Sequence, residues 1–402
     1  MLVNQENKTA QKKERTEERR VRNLAMMVAL SLVVGFFALF RLKSPVIQEI
    51  AFLALVIPAL LQLRYKLADL QKVRQGFMLS LLYLVPVAMS FAFHAVESGR
   101  VSFYNLVILG NLYLAFLLAC LFASGVRFGL VRQIMLYTAL FSLPLFLYVA
   151  FAQRAAMIWG RWTPFQLQPN WWGMMVLGFA WGAMMIKNAP ARAAALMGAF
   201  LYMVALQSRG SLVALLPVIL LSSGFFIPLN AKKMALGLLL SLLLLAAGVV
   251  TDLTMERGLL ERAVDYVATD VFLVDDEQRG LGSGLTGRTE GYKIGWRVFA
   301  ESPFFGGGFG EYGFIHNGFL LTLAESGLLA LGGMLFLMAR ALTGFVKERN
   351  WISLGLMLSY IAALLTFPRS FNINMTGFMF IILLMQGCAR TPPEKKKYRF
   401  TT

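Results

Sequence analysis

Two histidines occur in this 402-residue chain, and one of them stands where chemistry at a membrane surface can be done. His316 follows the Gly-rich stretch ESPFFGGGFG and, with Asn317, opens a long apolar run, HNGFLLTLAESGLLALGG. A neutral imidazole at such an interface can take a proton from a hydroxyl as a general base. A helix-capping or hydrogen-bonded histidine is the competing reading. His94, which ends another apolar run in FAFHAVESGR, reads as an interfacial histidine without catalytic duty.

Arginines supply the second kind of chemistry. Arg209, in SRGS between two apolar runs with no acid nearby, and Arg288, in GRTEGYKIGW, can each turn a guanidinium fork toward a phosphate. Arg297, Arg161 and Arg369 can reach the same face. An arginine near a bilayer costs a few kcal/mol unless it pairs, snorkels to headgroups or binds an anion, and snorkelling stays open for Arg209 and Arg288. Glu290 and Tyr292 are candidates to orient these groups. Backbone N–H groups of the Gly306–Gly310 stretch can also face an anion, although no phosphate-loop or dinucleotide signature is present.

Other chemistries find less support. Beyond the scattered acids of 252–277, no carboxylate or histidine cluster at ligand spacing lies near His316, so no metal and no cofactor is expected. Cys120 and Cys388 both lie in apolar runs and indicate neither a disulfide framework nor a thiolate site. Ser208, Ser211 and Ser302 stay open as nucleophile partners of His316.

The elements that must position these residues are membrane helices. The chain is 58% hydrophobic and 15% charged, outside the range of soluble domains. Crossing the hydrocarbon core takes about 20 apolar residues. Such runs fall near 24–40, 45–63, 76–95, 101–124, 128–152, 170–187, 192–207, 211–228, 233–250, 316–339, 350–367 and 371–389. The fold class expected is all-α, a polytopic bundle of about twelve transmembrane helices. With the N-terminus inside, 25 of the 38 Lys and Arg residues fall in cytoplasmic segments, as the positive-inside rule asks. The expected organisation is a basic tail at 1–23, nine spans in 24–250, a periplasmic loop at 251–315, three spans in 316–389 and a second basic tail at 390–402. The N-terminal tail reads as a retained cytoplasmic extension, disordered or loosely helical. The net charge of +17 is spread over short juxtamembrane loops and suits anionic lipid headgroups better than nucleic acid.

Within the outer loop, an acidic stretch at 251–277 gives way to a Gly-rich turn, RGLGSGLTGR, and then to an amphipathic helix expected over 289–300. Tyr292, Trp296 and Phe299 share one face at i, i+4 and i+7, the face expected to pack on the membrane domain. Gly295 lies on that face and would allow a close approach. Ser302-Pro303 and the following glycines end the helix.

Taken together, SRGS opening a span, the outer loop with GRTEGYKIGW and SPFFGGGFG, and HNGFLLTLAESGLLALGG resemble the O-antigen ligase and polymerase family of bacterial polysaccharide assembly. The likeness covers roughly 200–345. It implies an inverting, metal-independent glycosyl transfer at the periplasmic face of the inner membrane, with a donor glycan carried on undecaprenyl diphosphate. By motif, His316 would be the general base, and Arg209 and Arg288 would hold the diphosphate. The ligase reading, with a lipid A-core acceptor and lipopolysaccharide as product, is favoured because a polyanionic acceptor is drawn to a basic interface. A polymerase would instead extend another lipid-linked repeat, and a protein acceptor also stays open.

Two other classes compete. A transporter suits twelve spans, but apart from Glu49 the runs between 24 and 250 hold almost no acids that could relay a coupling ion, and no internal repeat is visible. An assembly scaffold would leave His316 without a task.

Overall fold

The apolar runs set the architecture, here given by a computed structural model that describes residues 2–42, 54–125, 129–152, 157–158, 161–162, 169–206, 208–222, 286–313, 315–365, 367 and 375–388. In hydrocarbon a backbone has no water to bond, so each described run closes its N–H and C=O groups internally as a helix. In chain order these are α1 (Leu2–Leu42), α2 (Val56–Arg64), α3 (Leu70–Ser98), α4 (Phe103–Ser124), α5 (Leu130–Ala152) and α6 (Pro169–Ala183). They continue as α7 (Ala189–Ala205), α8 (Arg209–Ser222), α9 (Thr286–Glu301), α10 (Gly318–Lys347), α11 (Trp351–Leu364) and α12 (Met375–Cys388). Between α5 and α6, two-residue strands β1 (Met157–Ile158) and β2 (Arg161–Trp162) pair antiparallel, a small departure from the all-helical expectation. The expected span 233–250, the acidic stretch 251–277 and the C-terminal tail 390–402 lie outside the described residues, as do parts of the spans expected at 45–63, 211–228 and 371–389.

Four described segments are long and apolar enough to cross a membrane: α3, α4, α10 and the Leu130–Val149 part of α5. Helices α6 and α11, expected as spans over 170–187 and 350–367, have 15 and 14 residues. At 1.5 Å per residue they reach about 22 Å, short of a full hydrocarbon core. The N-terminal extension and the first apolar run form one continuous helix of 41 residues. Its Gln11–Arg20 stretch is exposed apart from the half-buried Glu17, whereas Val21, Leu24, Ala25, Val28, Ala29 and Leu32 form a buried stripe. Arg20 closes this transition with its guanidinium 4.5 Å from the centroid of the Tyr65 ring, a cation–π contact.

Helix α12 lies at the centre. It touches α4, α6, α10 and α11, and also α1, α3 and α5. From Thr376 to Cys388 every residue except Gln386 is buried, as a helix apolar on all sides requires. Small residues let backbones approach: Gly344 of α10 faces the Gly387 carbonyl of α12, and Gly333 of α10 lies against the Leu82 carbonyl of α3. Buried hydroxyls tie the layers. Thr376 Oγ1 donates to the Met174 carbonyl of α6 at 2.5 Å, and Ser359 Oγ of α11 donates to the Ala214 carbonyl of α8 at 2.6 Å while accepting from Trp181 Nε1 of α6 at 3.2 Å. The Ser359 bond seats α8, whose first residue is the candidate Arg209.

A Cβ on Gly333 would stand 2.1 Å from the Leu82 carbonyl oxygen, whereas one on the adjacent Gly332 would meet nothing within 4 Å. Gly333→Ala is therefore expected to lower stability by about 1–3 kcal/mol through overpacking. Gly332→Ala should leave it unchanged or raise it, since alanine is the better helix former by about 1 kcal/mol. Thermal unfolding of the two variants in detergent checks the contrast.

Candidate functional site

The head of α10 carries the site, and an interruption in that helix shapes it. Gly327 has φ 71° and ψ −171°, so Gly318–Ser326 and Leu328–Lys347 are two helical pieces. In an unbroken helix the Ala324 and Glu325 carbonyls would accept from the amides four residues on. Here the Ala324 carbonyl accepts from Gly307 N–H at 2.8 Å, and the Glu325 carbonyl accepts from Gly308 N–H at 3.2 Å and from Ser90 Oγ of α3 at 2.5 Å. The Leu328 N–H in turn donates to the Pro303 carbonyl at 2.8 Å. The Gly-rich segment after α9 is thus a strap laid across the break, its backbone replacing the missing turn.

That placement explains the run of glycines. A Cβ on Gly306 would stand 2.5 Å from the Glu325 carbonyl carbon and the Ser326 nitrogen, and one on Gly327 would stand 2.2 Å from the Phe304 carbonyl oxygen. Both positions also have positive φ, which costs a side-chain-bearing residue about 1–2 kcal/mol. The strap is held from its other side by α3 and α4. Phe305 stacks on Phe93 at 5.4 Å between centroids, the His94 ring packs against Gly308, and Asn105 donates from Nδ2 to Glu311 Oε1 at 2.7 Å. His94 is thereby placed as a packing partner of the strap.

Beyond the strap the chain returns to α10 through a turn with fixed ends. The Tyr312 N–H donates to the Glu325 carboxylate at 3.2 Å, and the Ile315 N–H donates to the Tyr312 carbonyl at 3.0 Å. Ile315 is fully buried and joins Val298, Leu321 and Ala324 in a small core between α9 and α10, separate from the main one. Asn317 caps α10, its Oδ1 accepting from the Phe319 and Leu320 amides at 3.0 Å each. His316 sits between these two anchors, half-buried, with its Nδ1 atom buried. The N-cap is Asn317, so the capping reading of His316 does not hold. Burial, with the negative charges of Glu311, Glu301, Glu325 and Glu97 added, pushes the Tyr312 phenol above its ordinary value and keeps it a hydrogen-bond donor.

Helix α9 begins at Thr286, three residues before its expected start, and ends at Glu301, one residue past its expected end and just before Ser302-Pro303. Among its described side chains and glycines, the buried positions are Gly291, Gly295 and Val298, with Tyr292 and Ile294 half-buried beside them. The close approach expected at Gly295 is present, because a Cβ there would stand 3.1 Å from Leu320 Cγ. Trp296 departs from expectation. It is 57% exposed and packs edge-on against Phe299 at 5.7 Å, since two glycines and Val298 fill the contact stripe and leave no room for an indole. With Tyr292, Asn317, Phe319, Leu320, Leu323 and Leu331, Trp296 instead lines an apolar groove of about 310 Å³.

The groove therefore brings together Asn317 and Tyr292, and His316 precedes Asn317 in the chain. Glu290 and Arg297 are exposed and do not line the groove. The side chains of Arg209, Arg288 and Arg161 lie outside what is described, although their backbones open α8, belong to the first turn of α9 and form part of β2 respectively; Arg369 is outside the described residues altogether. The start of α8 is firmly seated. Ser208 and Ser211, on either side of Arg209, are buried and bonded to each other at 2.7 Å against Gly173 of α6, where they serve helix packing. Two residues carry more than the motif reading assigned them, Glu325 and Trp296. An acid inside the apolar run 316–339 is the signal for the first. Among the described residues, no group of three or more His, Cys, Asp or Glu side chains is arranged to hold a metal ion.

A family profile described as O-antigen ligase matches residues 193–337, a span that includes SRGS, α9, the strap and the head of α10. This stretch is thus similar to the O-antigen ligase family, the likeness that the motifs indicated. Comparison with curated proteins finds no match.

Asn317→Ala removes the cap and is expected to cost about 1 kcal/mol of stability, whereas Asn317→Asp keeps an acceptor and should cost much less. Chemical denaturation in detergent, monitored by Trp fluorescence, distinguishes the two.

Proposed function

We propose that the chain transfers a glycan from undecaprenyl diphosphate to a hydroxyl of lipid A-core at the periplasmic face of the bacterial inner membrane, completing lipopolysaccharide. His316 is the general base. As the acceptor oxygen attacks the anomeric carbon, its proton passes to the imidazole. The bond from that carbon to the diphosphate oxygen breaks, and the electron pair leaves with undecaprenyl diphosphate. One displacement inverts the anomeric centre. Diphosphate is already a good leaving group when fixed cations face it, so a base and two guanidinium groups suffice without a divalent ion. Arg209 and Arg288 take that role, with Arg297 and Arg161 as lesser candidates. Tyr292, Asn317 and Glu290 orient substrate.

The observation that carries this reading is the mounting of His316 between a buried Ile315 and the Asn317 cap, which itself lines an apolar groove, within a stretch that matches the O-antigen ligase family profile. A base must hold its position relative to a lipid-borne substrate, and this one is fixed by backbone on both sides.

The test is transfer by purified protein in detergent with EDTA, from an undecaprenyl-diphosphate-linked glycan to lipid A-core. Wild type is expected to give product, and His316→Ala should lose about 10²-fold or more, the usual scale of a general base. Arg288→Lys should lose about tenfold, because a point charge replaces a bidentate fork. Full activity of a folded Arg209→Ala would remove that residue from the site. Glycan ladders on the lipid carrier would make the enzyme a polymerase, and no conversion by wild type would refute the transferase reading.

A further inference from the structure

From the geometry of the break in α10 we infer that Glu325 is a positioning residue for His316. This rests on the reading of His316 as the base. Glu325 is 6% exposed, inside an otherwise apolar helix, where an acid persists only if it is bonded. Its carboxylate accepts the Tyr312 N–H, and its carbonyl accepts both Gly308 of the strap and Ser90 of α3. One residue thus ties three elements at the point where α10 is interrupted: the strap, α3, and the turn that leads to the base.

The path from the carboxylate to the imidazole is short and made of backbone. Glu325 holds Tyr312, the Tyr312 carbonyl holds Ile315, and His316 is the next residue. Without the carboxylate the Tyr312 amide loses this bond in a partly buried turn. The turn about Gly313 is then less constrained, and the base is held less firmly. Glu325 itself is four residues past the Leu321 turn of the helix and acts through Tyr312, with no part in the proton transfer.

The chemistry of the bond makes the role testable. Gln keeps an acceptor oxygen at the same reach without the charge, whereas Asp keeps the charge and withdraws it by one methylene. Two measurements on the full-length protein in detergent decide the matter. In hydrogen–deuterium exchange, peptides spanning 311–317 are expected to exchange faster in Glu325→Ala and Glu325→Asp but not in Glu325→Gln, with α4 and α12 peptides unchanged in all three. In the transfer assay, Glu325→Ala and Glu325→Asp should lower kcat about tenfold or more with KM little altered, while Glu325→Gln stays within about threefold of wild type. Combining Glu325→Ala with His316→Ala should lose no more than His316→Ala alone, because a residue that acts through the base has nothing left to position.

Unchanged exchange at 311–317, a glutamine variant as impaired as the alanine variant, or additive losses in the double variant would each overturn the role of Glu325 while leaving His316 as base. Full activity in His316→Ala would overturn both. The aspartate variant supplies the comparison if the alanine variant does not fold.

Discussion

The structure depends on how the polar backbone groups freed at Gly327 are satisfied. An interrupted helix in a membrane protein leaves carbonyls and amides that cost several kcal/mol each if they face hydrocarbon. The strap from Pro303 to Gly308 answers three of them, accepting from Leu328 and donating to Ala324 and Glu325. Only a chain of glycines can come this close. The strap and the break therefore need each other, and neither piece of sequence makes sense without the other.

This pairing also sets where the site stands. Because the strap is pinned across α10, helix α9 before it and the turn after it fall on the same side, and the small core of Val298, Ile315, Leu321 and Ala324 closes between them. Phe93, His94 and Asn105 hold the strap from α3 and α4, so the outer element is coupled to the membrane bundle by packing and by one side-chain bond to Glu311. His316 inherits its position from these contacts. A proposed base on a mobile loop would have to be ordered for each turnover, whereas the position of His316 is set by folding.

Much of this was legible in the residues. Helical runs, the amphipathic helix before Ser302-Pro303, the close approach at Gly295 and the grouping of His316 with Asn317 all follow from local composition and spacing. Trp296 was misplaced because a periodic pattern identifies an apolar face without saying whether a tryptophan or a glycine will occupy the tight part of the contact. Glu325 showed only as an acid in an apolar run, since its partners, Ser90 and Tyr312, lie 235 and 13 residues away. The serines of SRGS stayed open for chemistry in the sequence, and the structure buries them against Gly173, a contact between α6 and α8 that no spacing rule reveals.

By itself, the sequence determined that this is a helical membrane protein with a Gly-rich segment leading to a histidine at the head of an apolar helix. Those properties are local, because hydrophobicity, helix capping and turn chemistry act over a few residues. Tertiary structure alone decided that the helix is broken at Gly327, that the glycines fill the break, and that Glu325 meets Ser90 there. These outcomes turn on which distant backbone groups meet in a medium without water, and no short window of sequence contains both partners.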